Sequence, residues 1–175
     1  MNHFDFKKNI YTLSAELGVP FGILLSLLAV SLVFSVKVPM LSILTVLLLM
    51  AAPVVLCIFQ RKRFVALDGF ALYSELWILA IFTTMGGSLI MALVSYLTIS
   101  YILPDFLYDL MRIFIDNWPD LSQDTIQTCE KAISQRALPT ALEFCMMLFW
   151  LFTFLGCVGG AITAFIAEKL PYKQQ

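Results

Sequence analysis

The sequence has little charge and a single histidine, and both scarcities restrict what the chain can do. Charged residues are 13% of the 175 residues, against roughly one quarter in a soluble domain. The histidine is His3, so one chain cannot build a histidine-based triad or a multi-histidine metal site. The four cysteines lack the paired spacing of a zinc or redox site, and there is no glycine-rich phosphate loop. We therefore predict that the protein is not an enzyme and holds no cofactor or metal.

Hydrophobic residues, by contrast, are abundant and arranged in long runs. They are 61% of the chain, and the mean hydropathy is +0.90. Four apolar runs cover about residues 17–36, 38–59, 76–103 and 144–167. A helix needs roughly twenty residues to cross the hydrocarbon core, so each run is long enough. Backbone polar groups in lipid must be paired within the segment, which requires helices. We predict one all-α, polytopic membrane domain with four transmembrane helices.

The segment of about residues 104–140 is the one sizeable aqueous region, and we predict an extracytoplasmic helical hairpin there. The first helix is expected from residue 104 to 116, because its polar residues recur at helical spacing while the others are nearly all apolar. Those polar residues are Asp105, Asp109, Arg112 and Asp116. The second helix is expected from about residue 122 or 124 to residue 135. The first helix fits either a lid or docking surface or a plain interfacial strut.

The distribution of Lys and Arg predicts the orientation. Seven of them would share one side of the membrane and four the other, and the short loop with Arg61, Lys62 and Arg63 belongs to the richer side. Cytoplasmic loops carry the excess of positive charge, so both termini are expected in the cytoplasm. The same three residues are candidates for contact with anionic lipid headgroups or with a partner.

Acidic residues at the membrane boundary are the candidate functional carboxylates. Glu75 and Glu143 each adjoin an apolar run, as does Glu16. Ionisable residues near membrane depth suggest transport or proton transfer. However, each of the three stands at the N-terminal end of its helix, where the macrodipole favours negative charge. Both interpretations of Glu75 and Glu143 stay open from the sequence.

Small residues recur at every fourth position in three of the runs. Such stripes allow helix backbones to approach closely in lipid, where no hydrophobic effect drives association. We predict that they pack against other helices of the same bundle rather than against a second copy. The candidate packing residues are Gly18, Gly22, Ser26, Ala80, Thr84, Ser88, Gly156, Gly160 and Ala164.

Three short motifs give the chain a family resemblance. Residues 73–75 (Tyr-Ser-Glu) open the third run, residues 101–106 (Tyr-Ile-Leu-Pro-Asp-Phe) follow it, and residues 137–139 (Ala-Leu-Pro) precede the fourth. With these motifs the chain resembles domain of unknown function family 4199, small four-helix proteins of the bacterial inner membrane. The resemblance supplies no catalytic residue. It implies a membrane-associated glycosyltransferase of the family-two type as a neighbour and partner.

The sequence leads to one favoured function and two alternatives. We expect a non-enzymatic accessory or scaffold subunit that positions a membrane enzyme, such as a glycosyltransferase acting on lipid-linked sugar or envelope material. The first alternative is a small carrier or lipid-translocating protein that uses Glu75 or Glu143. The second is a self-assembling homo-oligomer or pore. The lipid bilayer is the expected surrounding in each case, and nucleic acid is not an expected partner.

Overall fold

Helices form nearly all of the described structure. The computed structural model describes residues 5–117, 126–127, 131, 133 and 138–169, and within these residues there is no β-strand. Five helices have defined bounds: α1 Ile10–Ser35, α2 Leu41–Ala66, α3 Tyr73–Leu97, α4 Phe106–Asn117 and α5 Ala141–Lys169. A π-helical turn, Thr98–Ile102, continues α3.

Helices α1, α2, α3 and α5 are long and apolar enough to cross a membrane. They contain 26, 26, 30 (with the π-helical turn) and 29 residues, and their most apolar stretches have mean hydropathies between 2.0 and 2.7. At 1.5 Å per residue, each exceeds the roughly 30 Å of the hydrocarbon core. The chain is a multi-pass membrane protein with an all-α fold, which confirms the predicted fold class.

The helices extend beyond the apolar runs that predicted them. Helix α1 begins at Ile10 rather than near residue 17, and the Asn9 side chain caps it by accepting a hydrogen bond from the Tyr11 N–H. Helix α2 runs to Ala66 rather than to residue 59. Hydropathy detects only the part of a helix inside the hydrocarbon, whereas the backbone remains helical in the headgroup region, where polar side chains are solvated.

A left-handed turn ends α2. Asp68 and Gly69 both have positive φ, at 53° and 82°, and the Gly69 N–H donates to the Phe64 carbonyl at 3.0 Å. Glycine adopts this conformation at no steric cost, and it satisfies carbonyls that the helix end would leave unpaired. The turn allows a link of six residues to lead directly into α3.

The four long helices form a ring in the order α1, α2, α5, α3. Helices α1 and α3 run parallel, as do α2 and α5, and the other neighbours are antiparallel. The packing is unequal around the ring. In the most apolar eighteen residues of each helix, 56% of α1 and 50% of α3 are buried inside the protein, but only 11% of α2 and 11% of α5. The α1–α3 pair therefore forms the centre of the fold, and α2 and α5 present most of their surface to lipid.

Helix α4 lies at the end of the bundle where α3 ends and α5 begins. Its Phe106 is buried, and the ring meets Phe144 of α5 edge to face with centroids 5.9 Å apart. This helix matches the first half of the predicted hairpin. The predicted second helix, at about residues 122–135, lies largely outside the described residues.

Candidate partner and lipid contact sites

Small residues bring α3 and α5 into close contact. A Cβ atom built on Gly156 would lie 2.5 Å from the Thr84 Cβ, and one on Gly160 would lie 2.6 Å from the Ala80 Cβ. One turn further along α3, the Ser88 hydroxyl lies 2.8 Å from that of Thr153. Close approach and an interhelical hydrogen bond are the two main ways in which membrane helices associate. These candidate packing residues thus lie inside the bundle.

The α1–α3 contact has a second set of small residues. A Cβ atom on Gly18 would lie 3.6 Å from the Gly86 Cα, and one on Gly22 would lie 3.2 Å from the Gly87 Cα. Ser26, the third residue of this stripe, is also buried, and no described residue pairs with its hydroxyl. Ala164, the last packing candidate, is fully buried. Gly18, Gly22, Ser26 and Ala164 are thus buried within the bundle.

The basic triplet differs from the sequence expectation at Arg63. The Arg63 side chain is only 6% exposed, and its Nη1 donates to the backbone carbonyls of Phe6 and Lys8. Its guanidinium therefore holds the N-terminal segment against the end of α2 instead of contacting lipid or a partner. The reason is helical geometry: residue 63 falls on the inward face of α2, and the two N–H groups of Nη1 can donate to two backbone carbonyls at once.

Arg61 and Lys62, in contrast, lie at the surface of this end of the bundle. The Arg61 Nη1 donates to the Ala167 carbonyl at 2.9 Å, and the guanidinium lies 5.2 Å from the centre of the Phe64 ring. Lys62 is exposed, with its Nζ 5.9 Å from the centre of the Phe6 ring. Both positive charges thus lie near the C-terminal end of α2, each close to an aromatic ring.

A buried glutamine, which is not among the residues predicted from the sequence, joins three helices. Gln60 of α2 is 0% exposed; its Nε2 donates to the Leu76 carbonyl at 3.1 Å and to the Gly160 carbonyl at 3.0 Å. Its Oε1 has no hydrogen-bond partner among the described residues. A polar residue at the end of an apolar run is the signal that could have identified it, because polar side chains at such positions often join helices.

Two of the three boundary carboxylates have structural partners. The Glu16 Oε1 lies 2.7 Å from the Lys8 Nζ. The Glu143 Oε2 accepts from the Thr140 N–H at 2.8 Å, and the Thr140 hydroxyl accepts from the Glu143 N–H at 3.3 Å. This reciprocal pattern is a capping box. Glu75 is half-buried in the first turn of α3, where negative charge is favoured.

A groove between α2 and α5 is the second feature that the sequence did not reveal. Its deeper part has a volume of about 230 Å³ and its outer part about 420 Å³. Pro53 lines both parts, Gly156 and Gly159 line the deeper part, and Arg61 and Lys62 stand at the outer end. Hydropathy cannot indicate a groove, because it depends on how two helices are rotated and spaced.

The outward side of α5 has a stripe of large residues that no other described helix covers. Met147, Trp150 and Phe154 are 65%, 65% and 67% exposed, and we call them the α5 stripe. Trp150 lies about 10 Å along the helix from Glu143, inside the apolar span. No described residue accepts a hydrogen bond from its indole N–H. Tryptophan normally lies at the membrane interface, where that N–H is solvated.

Comparison with protein-family models identifies a family for most of the chain. A family model described as "Protein of unknown function (DUF4199)" matches residues 16–169, which include α2, α3, α5 and all but the first six residues of α1. No curated protein and no solved structure matches the chain.

Proposed function

Since the chain belongs to the family of proteins of unknown function DUF4199, we propose from its own surfaces that it is a non-enzymatic accessory or scaffold subunit. It would position a membrane enzyme in the bacterial inner membrane, with both termini in the cytoplasm. The resemblance seen in the sequence makes a membrane-associated glycosyltransferase, acting on lipid-linked sugar or envelope material, the first partner to test.

The uncovered α5 stripe is the observation on which this proposal rests. Aromatic residues and methionine are enriched in protein interfaces, and tryptophan is prominent among the residues that contribute most binding energy. An indole N–H inside hydrocarbon without an acceptor is costly. A partner helix with a hydroxyl or carbonyl opposite Trp150 would remove that cost, whereas lipid tails cannot.

The internal packing supports a scaffold as well. The small-residue stripes are used within the bundle, so the α1–α3 and α3–α5 contacts provide a rigid support. The partner would then contact α5 from outside without disturbing that support. The ion pair of Glu16 and the capping box of Glu143 give these carboxylates structural roles, which favours a scaffold over a carrier that uses Glu143.

Co-purification from native membranes tests the proposal. The full chain is tagged, extracted in a mild detergent, and the bound proteins are identified and quantified by mass spectrometry. We expect a stoichiometric membrane enzyme with the wild type and much less of it with Trp150→Leu, which keeps the site apolar but removes the N–H donor. Phe165→Leu is the matched control, because Phe165 is an exposed aromatic residue of α5 about 22 Å further along the helix.

Two results would contradict the proposal. One is recovery of the chain alone under conditions that preserve other membrane complexes. The other is turnover of a lipid-linked sugar by the purified chain, which would make it an enzyme. Equal loss of the partner with Trp150→Leu and Phe165→Leu would refute the assignment of the interface to the α5 stripe.

A further inference from the structure

The groove between α2 and α5 is long, narrow and open towards the lipid. Its lining on α2 extends from Leu49 to Lys62, which is about 20 Å along the helix. This distance is about two-thirds of the hydrocarbon thickness. The groove therefore extends from near the C-terminal end of α2 past the middle of that helix.

The chemistry of the groove changes along its length. Its deeper part is lined almost entirely by apolar side chains and glycine, and the one hydroxyl there belongs to Thr84, which already donates to the Ala80 carbonyl at 2.9 Å. The charged residues that line the groove are Arg61 and Lys62, both at the outer end. An apolar channel with two positive charges at one end is complementary to an apolar chain with an anionic head.

Glycine at position 159 keeps the deeper part open. A Cβ atom built on Gly159 would have no heavy atom within 4 Å, whereas one on the neighbouring Gly156 would collide with Thr84. Gly156 thus allows α3 and α5 to approach closely, whereas no contact within the protein requires a glycine at position 159. The space beside Gly159 is part of the groove lining.

We propose that this groove binds one anionic phospholipid from the leaflet at the Arg61 end of the bundle. One acyl chain lies along the groove past Pro53 and Gly159 towards Leu49, and the phosphate lies beside Arg61 and Lys62. Each basic residue near the membrane surface attracts anionic lipid. The proposal does not depend on a protein partner, since the α5 stripe residues do not line the groove.

Native mass spectrometry of the purified full chain tests the site. The chain in a neutral detergent is mixed with phosphatidylglycerol or with phosphatidylcholine of the same acyl chains, and the fraction carrying one lipid is measured. We expect phosphatidylglycerol to be retained preferentially. Arg61→Gln and Lys62→Gln should each weaken its binding by about fivefold. Lys169→Gln is the matched charge control, because Lys169 is exposed at the same end but does not line the groove.

The variant Gly159→Leu tests the apolar part. It should reduce the binding of both lipids severalfold without lowering the thermal stability, because the added side chain enters open space. Val158→Leu adds bulk on the neighbouring outward position of α5 and should leave binding unchanged. Thermal unfolding of each variant in detergent shows whether the fold is intact.

Three results would overturn the inference. The first is equal retention of the two lipids by the wild type. The second is unchanged lipid binding in a folded Gly159→Leu variant. The third is a homodimer in the mass spectrum that Gly159→Leu abolishes, since a second copy would then occupy the groove. Loss of a co-purified enzyme in the Trp150→Leu variant tests the proposed scaffold function and does not test the lipid site.

Discussion

Three glycines within five residues of α5 allow a sharp test of the α3–α5 contact. We compare Gly156→Ala, Gly159→Ala and Gly160→Ala, which add the same methyl group to the same helix. At positions 156 and 160 the new Cβ would lie 2.5 Å and 2.6 Å from Cβ atoms of α3, whereas at position 159 no atom is within 4 Å. The three variants therefore differ only in what the methyl group meets.

The expected magnitudes follow from these distances. Carbon atoms in contact prefer about 3.5–4.0 Å, so α3 and α5 must separate by about 1 Å in the Gly156→Ala and Gly160→Ala variants. The clash is with Cβ atoms, which cannot rotate away. Overpacking of this kind typically costs about 1–3 kcal/mol of the free energy of unfolding. Gly159→Ala should be neutral or stabilising by up to about 1 kcal/mol, through the helix propensity of alanine.

Equilibrium unfolding in mixed detergent, followed by far-UV circular dichroism, measures the free energies. Thermal melting in the same detergent is an independent check, and roughly 2–4 °C per kcal/mol is the scale for domains of this size. We expect the free energy of unfolding of Gly159→Ala to equal or exceed that of the wild type. The values for Gly156→Ala and Gly160→Ala should be lower than that of the wild type. Equal destabilisation by all three, or none at positions 156 and 160, would refute the described contact.

Three further predictions concern single contacts. Thr153→Val removes the hydrogen bond with Ser88 and should cost about 0.6 kcal/mol of unfolding free energy. A coupling energy near zero between Thr153→Val and Ser88→Ala in a double-mutant cycle would contradict this prediction. Arg63→Met should release the segment before α1, seen as faster amide hydrogen exchange in residues 5–9, while unchanged exchange would disprove the anchor. Glu143→Ala should lower the free energy of unfolding by about 1 kcal/mol, because the Thr140 N–H loses its acceptor. Glu143→Gln keeps an acceptor at this position and should therefore lose much less stability. Abolished transport in a folded Glu143→Gln variant would instead support the carrier.

The fold was predictable because the bilayer imposes it. Runs of twenty apolar residues must become helices in lipid, and the four runs of that length correspond to the four long helices. The ends of the helices were less predictable, since α1 and α2 continue through polar residues that hydropathy leaves out.

The rotation of each helix about its axis was not predictable, and most features of the candidate sites depend on it. In water, an amphipathic pattern shows which face is buried. In lipid, the outward and inward faces are both apolar, so the pattern carries little information. Arg61 and Arg63 illustrate the difficulty: they are two residues apart and equally basic, but one lies at the groove and the other is buried against the N-terminal segment. The same reason explains why Gln60 and the groove were missed.

The pairing of α1 with α3 has a consequence for biogenesis. Helix α1 is synthesised before α3, which is its largest partner surface and whose last residue follows Ser35 by about 60 residues. At 5–20 residues per second, α1 waits roughly 3–12 s for that partner. During this interval Gly18, Gly22 and the buried hydroxyl of Ser26 face either lipid or the insertion machinery. The chain in which α3 is not yet synthesised is thus the intermediate that an insertase or a membrane chaperone would protect most. A quality-control protease would act on the same intermediate, because the chain is incomplete.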